Sequence, residues 1–196
     1  MQRPASPIIA PDLMAQVVQG DRYAFSQLYD LSCSLLFTLA QRILNENEET
    51  TELLQEVYVE IWQKAHKYDP KRGSPLSWMV TLTRSRAIDR LRSKGWNARC
   101  MTQPLDDQAI PERLVSSSNP LESVATHELR EKVGEALRVL PKEQCLALEL
   151  SYYEGLSHRE IADRLNEPVG TIKTRIRLAV IKLREMLQSY WTQESS

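Results

Sequence analysis

Residues 155–184 read GLSHREIADRLNEPVGTIKTRIRLAVIKLR. Gly155-Leu156 interrupts the helical pattern before it. Ser157 stands where an N-cap belongs, and Glu160 lies three residues on, as a capping box requires. Ile161, Ala162 and Leu165 follow at helical spacing. Asn166 tolerates the left-handed conformation that ends a helix. Glu167 is a candidate cap for a second helix, with Pro168 in its first turn. That helix carries Ile172, Ile176, Ala179, Leu183 and Leu187 on one face. Two helices joined by so tight a turn form a helix-turn-helix, whose second helix enters the major groove of DNA.

The residues off the apolar stripe supply the chemistry. Pro168, Val169 and Gly170 open the second helix, and small residues there allow close approach. Gly170, Thr174 and Arg177 project roughly opposite Ile172 and Ile176, with Thr171 and Lys173 beside them and Arg175 nearer the edge. The two threonines offer hydroxyls to bases or phosphates, and Lys173, Arg175 and Arg177 offer cations to phosphates. No acidic residue stands between Thr171 and Arg184. The competing reading is an ordinary helix hairpin with a solvated basic face. Cap, turn and basic second helix within one run weigh against it.

The 196 residues suffice for one large domain or two small ones, and 42% hydrophobic with 26% charged residues is a soluble globular balance. Net charge is −1, but the charge is segregated. Glu46, Glu48, Glu49, Glu52, Glu56 and Glu60 cluster early; Arg84, Arg86, Arg90, Arg92, Lys94 and Arg99 cluster in the middle; Lys173, Arg175, Arg177, Lys182 and Arg184 cluster late. Cys33, Cys100 and Cys145 are odd in number and far apart, which suits neither a disulfide framework nor a zinc site. His66, His127 and His158 are equally scattered. No metal, no cofactor and a reducing cytoplasm are expected. No apolar run reaches a membrane span, and no signal-peptide pattern opens the chain.

Apolar residues recur at helical spacing almost throughout, and no period-two strand is legible. The expected fold is all-α, with two small helical domains at residues 12–98 and 126–190 joined by an extended linker at 99–125. Before residue 12, Pro4, Pro7 and Pro11 mark a tail. A helical pattern runs from Asp12, breaks at Gly20-Asp21 and resumes to Asn45. The pattern over Thr51–Lys67 is the strongest of the first half, with Leu53, Leu54, Val57, Tyr58, Ile61 and Trp62 on a wide apolar stripe. Glu52, Gln55, Glu56, Glu60 and Gln63 form its other side, which is either simply solvated or an acidic docking face. The turn YDPKRGSP (68–75) places Lys71 and Arg72 on a loop. A helix over Leu76–Lys94 follows, in which Asp89 is placed to pair with a nearby arginine. Trp78 near its start is either core or a base-stacking surface. The linker contains Pro104, Pro111, Pro120, Asp106, Asp107 and a Ser-rich run.

LLQEVYVEIWQKAHKYDPKRGSPLSWMVTLTRSRAIDRLR (53–92) resembles region 2 of the bacterial sigma-70 family in its extracytoplasmic-function (ECF) subgroup. ALRVLPKEQCLALELSYYEGLSHREIADRLNEPVGTIKTRI (136–176) resembles region 4. The resemblance implies a factor that binds core RNA polymerase, through its beta-prime clamp helices and beta flap, and directs it to promoter DNA. It implies that Glu52, Gln55, Glu56, Tyr58 and Trp62 belong to the polymerase-docking helix. It implies that Lys71, Arg72, Trp78, Arg84, Ser85 and Arg92, with Asp89 beside them, belong to the parts that capture the melted −10 element. Pro168–Arg177 would then read the −35 element in duplex form, and the linker would thread toward the RNA exit path. An anti-sigma partner, often membrane-anchored, is a further implication, with the free form a monomer or an anti-sigma complex. Leu178 and Val180 stand where many relatives carry arginines, which implies fewer phosphate contacts and more reliance on polymerase.

The main alternative is a free-standing helix-turn-helix regulator with a sensing or dimerising N-terminal domain. The basic stretch Lys71–Arg92 argues against it, because a sensing domain has no use for a second nucleic-acid surface. An enzyme is not expected: no Gly-rich phosphate loop, paired ligands or nucleophile constellation is present, and a capped helix start accounts for Ser157, His158 and Glu160. No small-molecule substrate is implied.

Overall fold

Asp21 stops one helix and starts the next. Its carboxylate accepts hydrogen bonds from the backbone N–H of Tyr23 and Ala24 at 2.8 and 3.1 Å, and Gly20 before it takes φ +85°. The computed structural model describes residues 9–93, Gly95 and 124–193, with side chains from 131 to 188 in the second span. Among them are eight α-helices and no strand. The expected tail before residue 9 and all but the end of the linker expected over 99–125, with Asp106, Asp107 and Cys100, lie outside the described residues; Val124 and Ala125, expected in the linker, already belong to a helix. Ile9 and Pro11 belong to the fold rather than to a tail: Ile9 is buried and Pro11 opens α1.

The first unit holds α1 (Pro11–Val18), α2 (Arg22–Leu44), α3 (Asn47–Lys64) and α4 (Pro75–Ser93). The long α2 packs on both α3 and α4, and α1 packs on α2. Asn45 ends α2 in the left-handed conformation, so α3 folds back at once. Leu28, Leu36, Leu53, Val57, Ile61 and Met79 are fully buried between these helices. Each such side chain contributes about 1.5–3 kcal/mol of transfer free energy. The helix expected over Thr51–Lys67 starts earlier, at Asn47, and finishes as a 3-10 turn over Ala65–Lys67.

The second unit holds α5 (Val124–Val139), α6 (Lys142–Tyr152), α7 (His158–Leu165) and α8 (Val169–Gln193). α8 packs on α5, α6 and α7 in turn. Its N-terminal third buries Ile172 against Leu150, Leu156, Ile161 and Ala162. Further along, Ala179 packs with Leu137, Leu140 and Cys145. Burial, with Glu149 nearby, pushes the Cys145 thiol up to about 11. That keeps it protonated and unreactive, a packing residue.

Candidate nucleic-acid interface

The helix-turn-helix is built from local rules. Ser157 Oγ accepts from the Glu160 N–H at 3.3 Å, and the Glu160 carboxylate accepts from the Ser157 N–H at 2.7 Å, which is the capping box the sequence predicts. Asn166 closes α7 at φ 53°. An ion pair between Arg164 and Glu154, 2.7 Å long and largely buried, holds α7 against the end of α6. The Pro168 carbonyl accepts from the N–H groups of Thr171 and Ile172, so Pro168 opens α8. Glu167 is not the cap the sequence suggests. Its carboxylate instead accepts from Arg175 Nη1 at 2.8 Å, two turns into the helix.

The exposed side of α8 carries Pro168, Val169, Gly170, Lys173, Thr174 and Arg177. Thr171 is half-buried at its edge. Thr174 Oγ1 donates to the Gly170 carbonyl at 2.9 Å and leaves its lone pairs outward. A Cβ built at Gly170 would meet nothing within 4 Å, so packing does not demand a glycine there. Lys173 and Arg177 have no acidic partner among the described residues, whereas Arg175 is engaged by Glu167. Arg175 therefore departs from the sequence expectation of a free phosphate-binding cation. Leu178 and Val180 are exposed.

In the first unit the loop before α4 is preset. The Asp69 carboxylate caps Lys71 N–H at 3.0 Å over the 3-10 turn Pro70–Arg72, and Tyr68 donates its hydroxyl to the Gly73 carbonyl at 2.9 Å. Gly73 takes φ +147°, where a side chain would be strained, and a Cβ there would lie 2.7 Å from Ser77 Oγ and force that hydroxyl to move, so this position favours glycine. Lys71 and Arg72 are exposed, and their side-chain cations have no acidic partner among the described residues. Trp78 is half-buried beside the Tyr68 ring, tilted 59° to it at 6.2 Å between centroids, so part of the indole stays open. Ser85 and Arg92 are exposed on α4, and Arg84 is half-buried.

The docking candidates on α3 divide. Glu52, Gln55 and Glu56 are exposed, with Val59 between them and Gln63. Trp62 is half-buried edge-on to Phe25 at 5.0 Å. Tyr58 is not a surface residue: only 6% exposed, it packs on Tyr29 and Phe25. Its oxygen lies 2.7 Å from Ser32 Oγ. Since Ser32 donates to the Leu28 carbonyl at 2.6 Å, the phenol is the donor to Ser32. Burial pushes the Tyr58 phenol well up. Its place on the apolar stripe of α3 was the sequence signal for this.

The acidic side of α3 is also not set apart from the basic side of α4. Arg86 donates through Nε and Nη2 to Glu60 at 2.7 and 2.6 Å, with Lys64 on the same carboxylate. Arg90 reaches Glu56 at 2.8 Å, with Glu49 and Glu52 at 3.6 and 3.7 Å. The Arg86 hydrogen bond, followed by Lys64, holds the Glu60 carboxyl down at about 2. Asp89 does pair locally, with Arg86 at 3.4 Å. Sequence reasoning missed the roles of Glu60, Arg86 and Arg90 because these pairs join residues 26 and 34 positions apart.

Among the described residues, no His, Cys, Asp and Glu group could hold a metal, and no helix is long and apolar enough to cross a membrane. The fold and the α7–α8 geometry place the chain among all-helical helix-turn-helix proteins. The family model for Sigma-70 region 2 matches residues 28–97, and that for Sigma-70, region 4 matches residues 130–183. The ECF RNA polymerase sigma factor SigK of Mycobacterium ulcerans (strain Agy99) is 33% identical over 177 residues, spanning 90% of this chain and 92% of that protein. SigK of Mycolicibacterium vanbaalenii is 35% identical over 179 residues, 89% of this chain and 87% of that protein. Among solved structures, Rhodobacter sphaeroides SigE in complex with the anti-sigma ChrR is 29% identical, covering 89% of this chain and 95% of that one, with a TM-score of 0.45. The chain belongs to the extracytoplasmic-function subgroup of the sigma-70 family of RNA polymerase sigma factors.

Proposed function

We propose that this chain binds core RNA polymerase as an alternative sigma factor and selects promoters through two separate surfaces. The observation that carries this is similarity to ECF sigma factors over about nine-tenths of the chain, with both sigma regions matched in order. Region 2 is taken as residues 12–98 and region 4 as 126–190, with 99–125 between them. The exposed strip Glu52, Gln55 and Glu56, with Trp62 at its end, docks the beta-prime clamp helices, and region 4 meets the beta flap. Lys71 and Arg72 meet phosphates beside the melted −10 element, with Trp78, Ser85, Arg84 and Arg92 along α4. The start of α8 enters the major groove at the −35 element. Gly170 admits the DNA backbone, Thr171 and Thr174 supply hydroxyls, and Lys173 and Arg177 neutralise phosphates.

Two modest DNA surfaces on one chain act together through effective concentration once polymerase fixes both. The polymerase performs the chemistry, and the chain acts in the cytoplasm. Membership of the extracytoplasmic-function subgroup is the ground for inferring that an anti-sigma factor controls this chain too, from the membrane face if it is anchored there. Direct binding tests the proposal. Fluorescently labelled chain titrated with purified core polymerase should saturate, and Glu56→Arg should weaken that binding while leaving the free chain folded. Duplex binding as a dimer, unaffected by polymerase, would favour a free-standing regulator instead.

A further inference from the structure

The middle cluster of arginines is two sets. Arg86 and Arg90 lie four residues apart, on the flank of α4 that meets α3. Trp78, Ser85 and Arg92, seven residues apart, form a stripe on another face. The Arg86 guanidinium grips Glu60 through two parallel bonds, at 2.6 and 2.7 Å, and the Glu60 side chain is only 16% exposed. This fork geometry fixes both distance and rotation between the helices. Arg90 repeats the link one turn on, at 19% exposure, to Glu56 and to the Glu49 carbonyl. Releasing Arg86 to a phosphate would leave a largely buried carboxylate with only the single-point contact of Lys64 in place of the fork, which is unfavourable.

We propose that Arg86 is a positioning residue for promoter melting. Its clasp on Glu60 sets the rotation of α4 against the docked α3, so that Trp78, Ser85 and Arg92 face the melted strand, and Arg86 itself is no phosphate ligand. This rests on the function proposed above. It makes the docking helix and the strand-capturing helix one mechanical piece, joined by this pair. A displacement of about 1 Å at a reacting or binding surface can cost about a hundredfold, so a link of this kind matters out of proportion to its exposure.

The experiment uses the full chain with core polymerase and a cognate promoter fragment, in two measurements. Core affinity is obtained by competition, and open-complex yield at saturating polymerase by permanganate reactivity of unpaired thymines. Glu60→Gln should lower open-complex yield by about tenfold while core affinity stays within about threefold. Arg86→Lys should fail similarly, because an ammonium keeps the charge but not the fork. The exchange Glu60→Arg with Arg86→Glu should restore yield to within about threefold of wild type. Normal melting by Glu60→Gln and Arg86→Lys, with loss only when the charge at 86 is removed, would make Arg86 a phosphate ligand and overturn the proposal. An exchange variant that folds, by thermal unfolding, yet melts no better than Arg86→Glu alone would also overturn it. A wild-type chain that neither binds core nor opens any promoter removes the proposed function itself. Loss confined to the Glu60 and Arg86 variants bears on positioning alone.

Discussion

Arg175 Nη1 donates to Glu167 Oε1 at 2.8 Å across the turn of the helix-turn-helix. One cation of the recognition helix is thereby held by the residue just before that helix, while Lys173 and Arg177 stay open. Glu167→Gln should therefore tighten binding to duplex DNA and steepen its salt dependence, adding about one phosphate contact to the slope. Arg177→Ala should do the reverse. Anisotropy titrations of the holoenzyme on duplex −35 fragments at several salt concentrations check both.

Gly170 offers a second discrimination. Nothing surrounds a Cβ built there, and its φ needs no glycine. Gly170→Ala should leave stability unchanged or raise it by up to about 1 kcal/mol. Binding to the −35 element should still weaken several-fold if DNA approaches the backbone here. Urea unfolding and the same anisotropy assay separate the two effects.

Tyr58 distinguishes a core residue from a docking residue. Tyr58→Phe removes one buried hydrogen bond, costing about 0.5–1.5 kcal/mol in urea unfolding. Tyr58→Ala opens a cavity worth about 3–5 kcal/mol. Core polymerase affinity of the Phe variant should match wild type, since the hydroxyl faces Ser32 and not solvent.

The helix-turn-helix was legible because its signals are local. Ser157, Glu160 and Asn166 each act within a turn of where they stand, and the structure places each where the spacing puts it. Glu167 misled for the complementary reason. Its type and position suit a cap, but its partner lies eight residues on and becomes available only when α8 has formed. Tyr58 was legible as part of the apolar stripe of α3, and a residue of that stripe packs inward even on a helix whose other side docks a partner. The Glu60–Arg86 and Glu56–Arg90 pairs could not be read at all, because charge clusters in sequence do not say which members face each other across two helices.

The Glu60–Arg86 pair also predicts a pH dependence. The folded-state carboxyl sits at about 2, below its ordinary 4.5, so the folded state favours the ionised form. Its stabilisation is complete above 4.5 and fades as pH falls from 4.5 toward 2. Urea unfolding of wild type should lose stability through this window faster than Glu60→Gln, which has no carboxyl to protonate. Parallel curves would show that the pair contributes nothing to stability.

As proposed, this chain gives core polymerase its promoter choice. Run-off transcription with purified core polymerase and a pool of promoter fragments, with and without the chain, tests it most directly. The account predicts defined start sites that appear only with the chain and disappear with Glu56→Arg or with Lys173→Ala combined with Arg177→Ala. Tight duplex binding without polymerase, and no start-site selection with it, would contradict the account.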